Sequence, residues 1–216
     1  MQKSKAQFIT FEGIDGCGKS TQARLLHERL KVLDVPNMLT KEPTDEAIGK
    51  AIRTNFLSGN EKCSSNALQM LFAADRYEHI NADNGILANL NEGISVICDR
   101  YYLSSMAYGL DPENPYWGCL YPILKQIHGY VNSLLKPDLV IYINIDPEVA
   151  YQRISNRDGD KEIFETVDRL TTLQEAYNYV ISKSLTENII RVDGSLNENE
   201  LNDVIFNHVT HLFGLE

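Results

Sequence analysis

A glycine-rich turn set between an apolar strand and an apolar helix leaves this chain few folds to choose from. Phe8, Ile9 and Phe11 read as the end of a buried strand. Gly13, Ile14, Asp15, Gly16, Cys17, Gly18, Lys19 and Ser20 then fit G-x-x-x-x-G-K-[ST], and Thr21 follows. Ala23, Leu25, Leu26, Leu30 and Val32 recur at helical spacing immediately afterwards. Glycines let successive backbone N–H groups turn toward one point without Cβ clashes, and the N-terminus of the next helix adds its partial positive charge there. Such a turn is an anion cradle. Lys19 is placed to reach the outer phosphates of a nucleoside triphosphate, and the Ser20 hydroxyl to join the shell of a magnesium ion.

The rest of the chain alternates strands with helices. Strands are expected over 37–40, 94–98, 138–145 and 189–192, and 94–98 is a continuous apolar run that suits a strand covered on both faces. Helices are expected around Ile48–Phe56 with Thr44 as N-cap, over 66–84 with Leu68, Leu71, Phe72 and Ala74 inside, and over 86–91 up to Gly93. Others follow over 103–110, 117–135, from Asp146-Pro147 to about 156, 162–182 and 198–212. Alternation of this kind implies a three-layer α/β/α fold around a five-stranded parallel sheet with right-handed crossovers. No repeat, low-complexity run or linker interrupts it, so residues 1–216 read as a single domain with a small lid over about 153–165.

Composition narrows the partners. Among 216 residues 43% are hydrophobic, enough for a sizeable core, and the net charge is −10, which disfavours nucleic acid and anionic membranes. No apolar run reaches the roughly 18 residues of a membrane helix, and the polar start, Met1–Gln7, lacks a signal-peptide pattern. Cys17, Cys63, Cys98 and Cys119 are widely spaced without CxxC, which fits a reducing cytoplasm. Cys17, beside a helix N-terminus, is either a thiol with a favoured thiolate or a small residue at a variable position.

Ligands of such sheets bind beyond the carboxyl ends of the strands, so charged residues at those ends are the candidates for a site. Asp99 closes a hydrophobic strand and is placed to hold magnesium with Ser20. Arg100 beside it either pairs Asp99 or clamps a phosphate bidentately. Arg53 is a surface arginine or a second phosphate ligand. Phe72 and Arg76, at i and i+4 on one helix, are core and surface, or else an aromatic face and a donor fork for a nucleobase. Arg153 and Arg157 repeat that spacing just before Gly159, either as a solvated helix end or as lid arginines that offset charge on a transferring phosphate. Position 16 is glycine, so the phosphate loop has no arginine of its own.

Taken together, these residues resemble the thymidylate kinases of the P-loop nucleoside monophosphate kinase superfamily. FEGIDGCGKST at 11–21 resembles their phosphate loop, and DRYYLSSMAY at 99–108 their Asp-Arg-(Tyr/His) motif. LFAADR at 71–76 resembles their base-binding helix, and PDLVIYINIDPEVAYQRI at 137–154 their fourth strand and the helix before the lid. The resemblance implies phosphorylation of dTMP to dTDP by ATP with Mg2+. It implies that Phe72 stacks on thymine, Arg76 meets its O4, Ser105 touches the base edge and Tyr108 lies where a 2′-hydroxyl would fall. Asp15 would approach the 3′-hydroxyl or the magnesium shell, the turn carrying Pro43 would lie at the substrate, and Arg53 and Arg100 would hold the monophosphate. Lys19 and the lid arginines Arg153 and Arg157 would act on the transferring group. It also implies a homodimer packed through helices. The chain departs from bacterial relatives at Lys41-Glu42-Pro43-Thr44-Asp45, where many have Arg-Glu-Pro-Gly-Gly-Thr, and in the acidic, proline-containing stretch 109–116. A related kinase for another nucleotide or nucleoside, or a nucleotide-dependent switch, are the other readings; no Asn-Lys-x-Asp element of a guanine-binding switch is present.

Overall fold

A computed structural model describes residues 5–110, 117–156, 166–184 and 188–215, with the side chains of 117–120 and 132–134 outside the description. Five strands, β1 (Phe8–Glu12), β2 (Asn37–Lys41), β3 (Ser95–Asp99), β4 (Leu139–Asn144) and β5 (Ile189–Asp193), form one sheet in the order β2-β3-β1-β4-β5. Every pairing is parallel. β1 lies in the middle and is buried along its whole length, Thr10 and Glu12 included. Phe11 pairs with Asp99 on one side and Ile141 on the other, which brings the glycine turn level with the end of β3.

Helices flank the sheet: α1 (Lys19–Val32), α2 (Ala47–Ala51), α3 (Ser65–Asn81), α4 (Ile86–Asn91), α5 (Tyr102–Gly109), α6 (Trp117–Leu134), α7 (Pro147–Ser155), α8 (Val167–Lys183) and α9 (Glu198–Phe213). α1 lies along β1, β3 and β2 and packs on α9, while α5 packs on α3, α6 and α8. α7 opens as its sequence predicts, with Asp146 accepting from the N–H groups of Glu148 and Val149 and Pro147 in the first turn.

Three local expectations are corrected. Thr44 does not cap the helix after β2; the N-cap position falls on Glu46, without a side-chain bond, and the Thr44 hydroxyl is drawn to the buried carboxylate of Asp75 at 2.6 Å. That helix is not α throughout, since Ile52–Leu57 winds as a π-helix. On α3, which ends at Asn81 rather than 84, Ala74 is exposed and the buried positions are Gln69, Ala73, Asp75, Arg76 and Ile80. The helix buries polar groups because it faces a site, a choice that apolar spacing does not reveal.

Each strand ends on a polar residue, Glu12, Lys41, Asp99, Asn144 or Asp193, so the carboxyl edge is a polar rim on an apolar sheet. Fully buried Ile141, in the centre of β4, tests that base. Ile141→Ala is expected to lower unfolding stability by about 2–5 kcal/mol, read from the denaturant midpoint at unchanged m-value.

Candidate active site

The phosphate loop closes against β4 and α7. A Cβ on Gly13 would meet the Ile143 carbonyl oxygen at 2.6 Å, and one on Gly16 would collide with the Ala150 carbonyl of α7; both residues have positive φ. A side chain at position 16 would require α7 to shift, so this structure has no room there for a phosphate-binding arginine. Lys19 is 5% exposed, and its Nζ donates to the Ile14 carbonyl at 2.7 Å, folded over the loop it serves. Cys17 is fully buried, and burial pushes its thiol up despite the Lys19 charge, so the fold builds a small core residue there and not a reactive thiolate.

The Ser20 hydroxyl donates to Asp99 Oδ2 across the start of α1. Asp99 Oδ1 is buried without a hydrogen-bond partner among the described residues. Two hard oxygen donors, one of them unsatisfied, are what a magnesium ion takes from a protein when phosphates and water complete its shell. Among the described residues no group of three or more His, Cys, Asp or Glu could cage a metal alone.

Arg100 follows Asp99 with φ +73°, the left-handed region, held there by its N–H donating to the Phe11 carbonyl at 2.9 Å. The turn aims its side chain across the loop. Its partner is Asp15, by a direct ion pair, and not Asp99. Nη1 also reaches Ser104 Oγ at 3.3 Å, and the guanidinium lies 5.2 Å from the Tyr108 ring centre. The Tyr108 hydroxyl is itself bonded to Asp15 at 2.5 Å. Burial alone would raise the Asp15 carboxyl, but the charges of Arg100 and Lys19 and the Tyr108 hydroxyl outweigh it and bring it down to about 2.

Behind Arg100 lies a group that sequence reasoning missed. Glu12, fully buried, accepts from the Tyr101 N–H at 2.9 Å, from the Ser104 hydroxyl, and from Tyr177 of α8 at 3.3 Å. Burial raises its carboxyl, and the Ser104 hydrogen bond and the Arg100 charge oppose that rise. The available signal was an acid closing an apolar run.

All eight residues expected around the monophosphate, Asp15, Pro43, Arg53, Phe72, Arg76, Arg100, Ser105 and Tyr108, line one cavity of about 210 Å³. Arg53 Nη1 and Nη2 donate to the carbonyls of Pro43 and Thr44, and Nη2 meets Asp45 at 2.6 Å, so it ties the π-helix to the turn after β2. Arg76 is 1% exposed on the cavity floor and bonds Ser105 Oγ at 2.7 Å. An open groove of about 940 Å³ meets this cavity at Lys41 and Asp99 and is walled by Asp45, Glu46, Asp75 and Glu78, acids that repel phosphate. Arg153 is in the last turn of α7, three residues after Ala150, which abuts Gly16. Arg157 and the rest of the expected lid to residue 165 lie outside the described residues.

A strand, glycine cradle and helix at the carboxyl edge of a parallel sheet, with a second polar cavity facing the cradle, define a P-loop protein of the α/β/α kinase class. The family model described as thymidylate kinase matches residues 11–205. A thymidylate kinase of Leptospira interrogans (serovar copenhageni, strain Fiocruz L1-130) is 35% identical over 206 residues, 93% of this chain and 92% of its own. A probable thymidylate kinase of Methanococcus maripaludis (strain C6) is 39% identical over 176 residues, 82% and 78%. One of Thermococcus onnurineus is 36% identical over 209 residues, 92% and 95%. The chain belongs to the thymidylate kinase family.

The Asp15–Arg100 pair carries a pH signature. Asp15 titrates below its ordinary 3.8 in the folded protein, so the pair stabilises the fold above about pH 4, a contribution lost as the pH falls toward 2. Asp15→Asn is expected to unfold at lower urea than wild type at neutral pH, with the gap closing as the pH is lowered through about 4.

Proposed function

We propose that this protein is a thymidylate kinase that moves the terminal phosphoryl group of ATP onto thymidine monophosphate. The observation that carries the reading is the 210 Å³ cavity, whose walls run from Phe72, Arg76 and Ser105 to Arg53 and Arg100 and reach Asp15 and Asp99 beside the phosphate loop. A base, a sugar and a phosphate match that sequence of surfaces: an aromatic face, a tyrosine with an acid, and two arginines. The Tyr108 ring, tethered through its hydroxyl to Asp15, occupies the sugar end and leaves a deoxyribose better served than a ribose.

Phosphoryl transfer asks the protein chiefly to align two phosphates and to offset charge. The loop amides from Gly13 to Thr21 hold the donor phosphates, and Lys19 leaves the Ile14 carbonyl for them. Magnesium, held by Ser20 and Asp99, would neutralise donor charge. Arg100, already fixed by Asp15, draws the acceptor phosphate toward the cradle, and Arg53 holds it from the other side. Arg153, with Arg157 beyond it, supplies the positive charge that position 16 is too crowded to carry. An ionised acceptor phosphate needs no general base.

A second copy of the chain fits one face. Met70 and Tyr77 of α3 and Ile123 and Tyr130 of α6 are exposed, seven residues apart on each of two packed helices, and the two tyrosine rings stack at 6.4 Å. Four large apolar groups on paired helices are the surface a homodimer buries. Free Cys17, Cys63 and Cys98 suit the cytoplasm, and no helix among the described residues is long and apolar enough to cross a membrane.

Lys19→Ala or Arg100→Ala is expected to lower turnover by about a hundredfold or more with the circular dichroism of wild type. ADP release with dTMP, dUMP and dCMP side by side tests the acceptor: dTMP is expected to be preferred, and a preference for dCMP would overturn the assignment. Tyr130→Glu is expected to convert a dimer to a monomer in light scattering; a wild-type monomer would refute the proposed face.

A further inference from the structure

Arg76 sits on the floor of the base end of the cavity, and its hydrogen bonds can be counted. A guanidinium carries five N–H donors: one on Nε and two on each terminal nitrogen. Glu42 Oε2 takes the Nε hydrogen at 2.9 Å, and the same oxygen lies 2.7 Å from Nη2 as an ion pair. Ser105 Oγ takes a hydrogen of Nη2 at 2.7 Å. His128 Nδ1, on α6, lies 3.3 Å from Nη1 and takes one of its hydrogens. Nη1 keeps a second N–H without a hydrogen-bond partner among the described residues, while Nη2 lies against the Glu42 carboxylate.

These contacts are not equivalent. Glu42 and Ser105 hold Nε and Nη2, and the Tyr101 ring, its centre 4.9 Å from the guanidinium carbon, covers one face, which leaves Nη1 as the corner still to be fixed. His128 is the anchor at the opposite corner. It is fully buried, and its Nε2 meets Gln69 Oε1 of α3 at 3.1 Å, with Gln69 itself 1% exposed. Gln69 Oε1 can only accept, so Nε2–H donates the hydrogen bond to it, which leaves the Nδ1 lone pair facing Arg76. Burial, reinforced by the Arg76 charge, pushes the imidazole down to about 3, so the acceptor persists at neutral pH.

We propose that His128 is a positioning residue for base selection: by anchoring Nη1 of Arg76, it aims the second N–H of that nitrogen at the 4-position of the pyrimidine, where a carbonyl accepts it and an amino group cannot. The inference rests on the base-binding reading of Arg76 given above and extends it to a residue behind the cavity wall. A 4-amino base would bring N–H against N–H at a buried cation, which is how hydrogen-bonding sites reject a mismatched group.

The test compares wild type with His128→Leu, which fills the space without an acceptor, and His128→Asn, whose side-chain oxygen falls near the place of Nδ1. Each full-length enzyme is assayed for ADP release with dTMP, dUMP and dCMP. For His128→Leu, kcat/KM for dTMP and dUMP is expected to fall about tenfold, chiefly through KM, and the preference for dTMP over dCMP to fall by a similar factor. His128→Asn is expected to keep that preference within about threefold of wild type. An unchanged preference in His128→Leu, an equal loss on all three acceptors, or no rescue by asparagine would each overturn the inference. If His128→Leu does not fold, His128→Gln, which offers its polar group at the Nε2 position, replaces it with the same expectations. Nitrogen NMR of the wild-type imidazole supplies a readout apart from activity. A proton on Nε2 is expected, and a proton on Nδ1 would overturn the inference even in a fully active enzyme. Wild-type enzyme that shows no preference for 4-carbonyl acceptors would count instead against the proposed function.

Discussion

The ion pair between Asp15 and Arg100 joins the two halves of the site. Asp15 belongs to the phosphate loop after β1, and Arg100 to the turn after β3, so the pair crosses neighbouring strands at the carboxyl edge. It requires Arg100 in a left-handed conformation, which costs about 1 kcal/mol or more for a residue with a Cβ. Charge pairing in a half-buried place offsets that cost, and Tyr108 bonds the same carboxylate from α5. The arginine is thereby held rigid where a flexible side chain would have to be ordered on binding, which is the sense in which the site is preorganised.

Behind that pair the protein tolerates a concentration of buried polar groups that no core would choose for stability. Glu12, Ser104 and Tyr177 form one network, and Glu42, Arg76, Ser105, His128 and Gln69 another. Buried charges of this kind are weak contributors to stability and strongly destabilising when one partner is lost. Their use lies in geometry: each network fixes an arginine that faces the cavity. The first comes from β1, α5 and α8, the second from α3, α5, α6 and the turn after β2. Residues distant in sequence therefore share responsibility for two guanidinium groups.

The residues with a chemical reason to be where they are were the readable ones. The glycine turn, Lys19 and Ser20 sit as their spacing demands, and Asp146 caps α7 because a carboxylate before Pro at a helix start has few other uses. Phe72, Arg76, Ser105 and Tyr108 were grouped from separate motifs, and the fold brings them to one cavity. Other positions were misread because a tertiary partner outbid a local one. Thr44 abandons its helix for Asp75, and Ala74 faces solvent because α3 turns polar residues inward. Glu12, Gln69 and His128 went unnoticed, since a lone polar residue within an apolar pattern looks like noise until its partners are known.

By itself, then, the order of residues was enough to specify a parallel α/β/α architecture and an anion cradle, because strand burial, helix spacing and glycine turns are local consequences of side-chain type. Which charges meet across that architecture was settled only when the chain folded. Coulomb attraction and hydrogen bonding depend on distances in space, and β-α-β crossovers place residues such as Glu12 and Tyr177, or Arg76 and His128, within a few ångströms regardless of their separation along the chain.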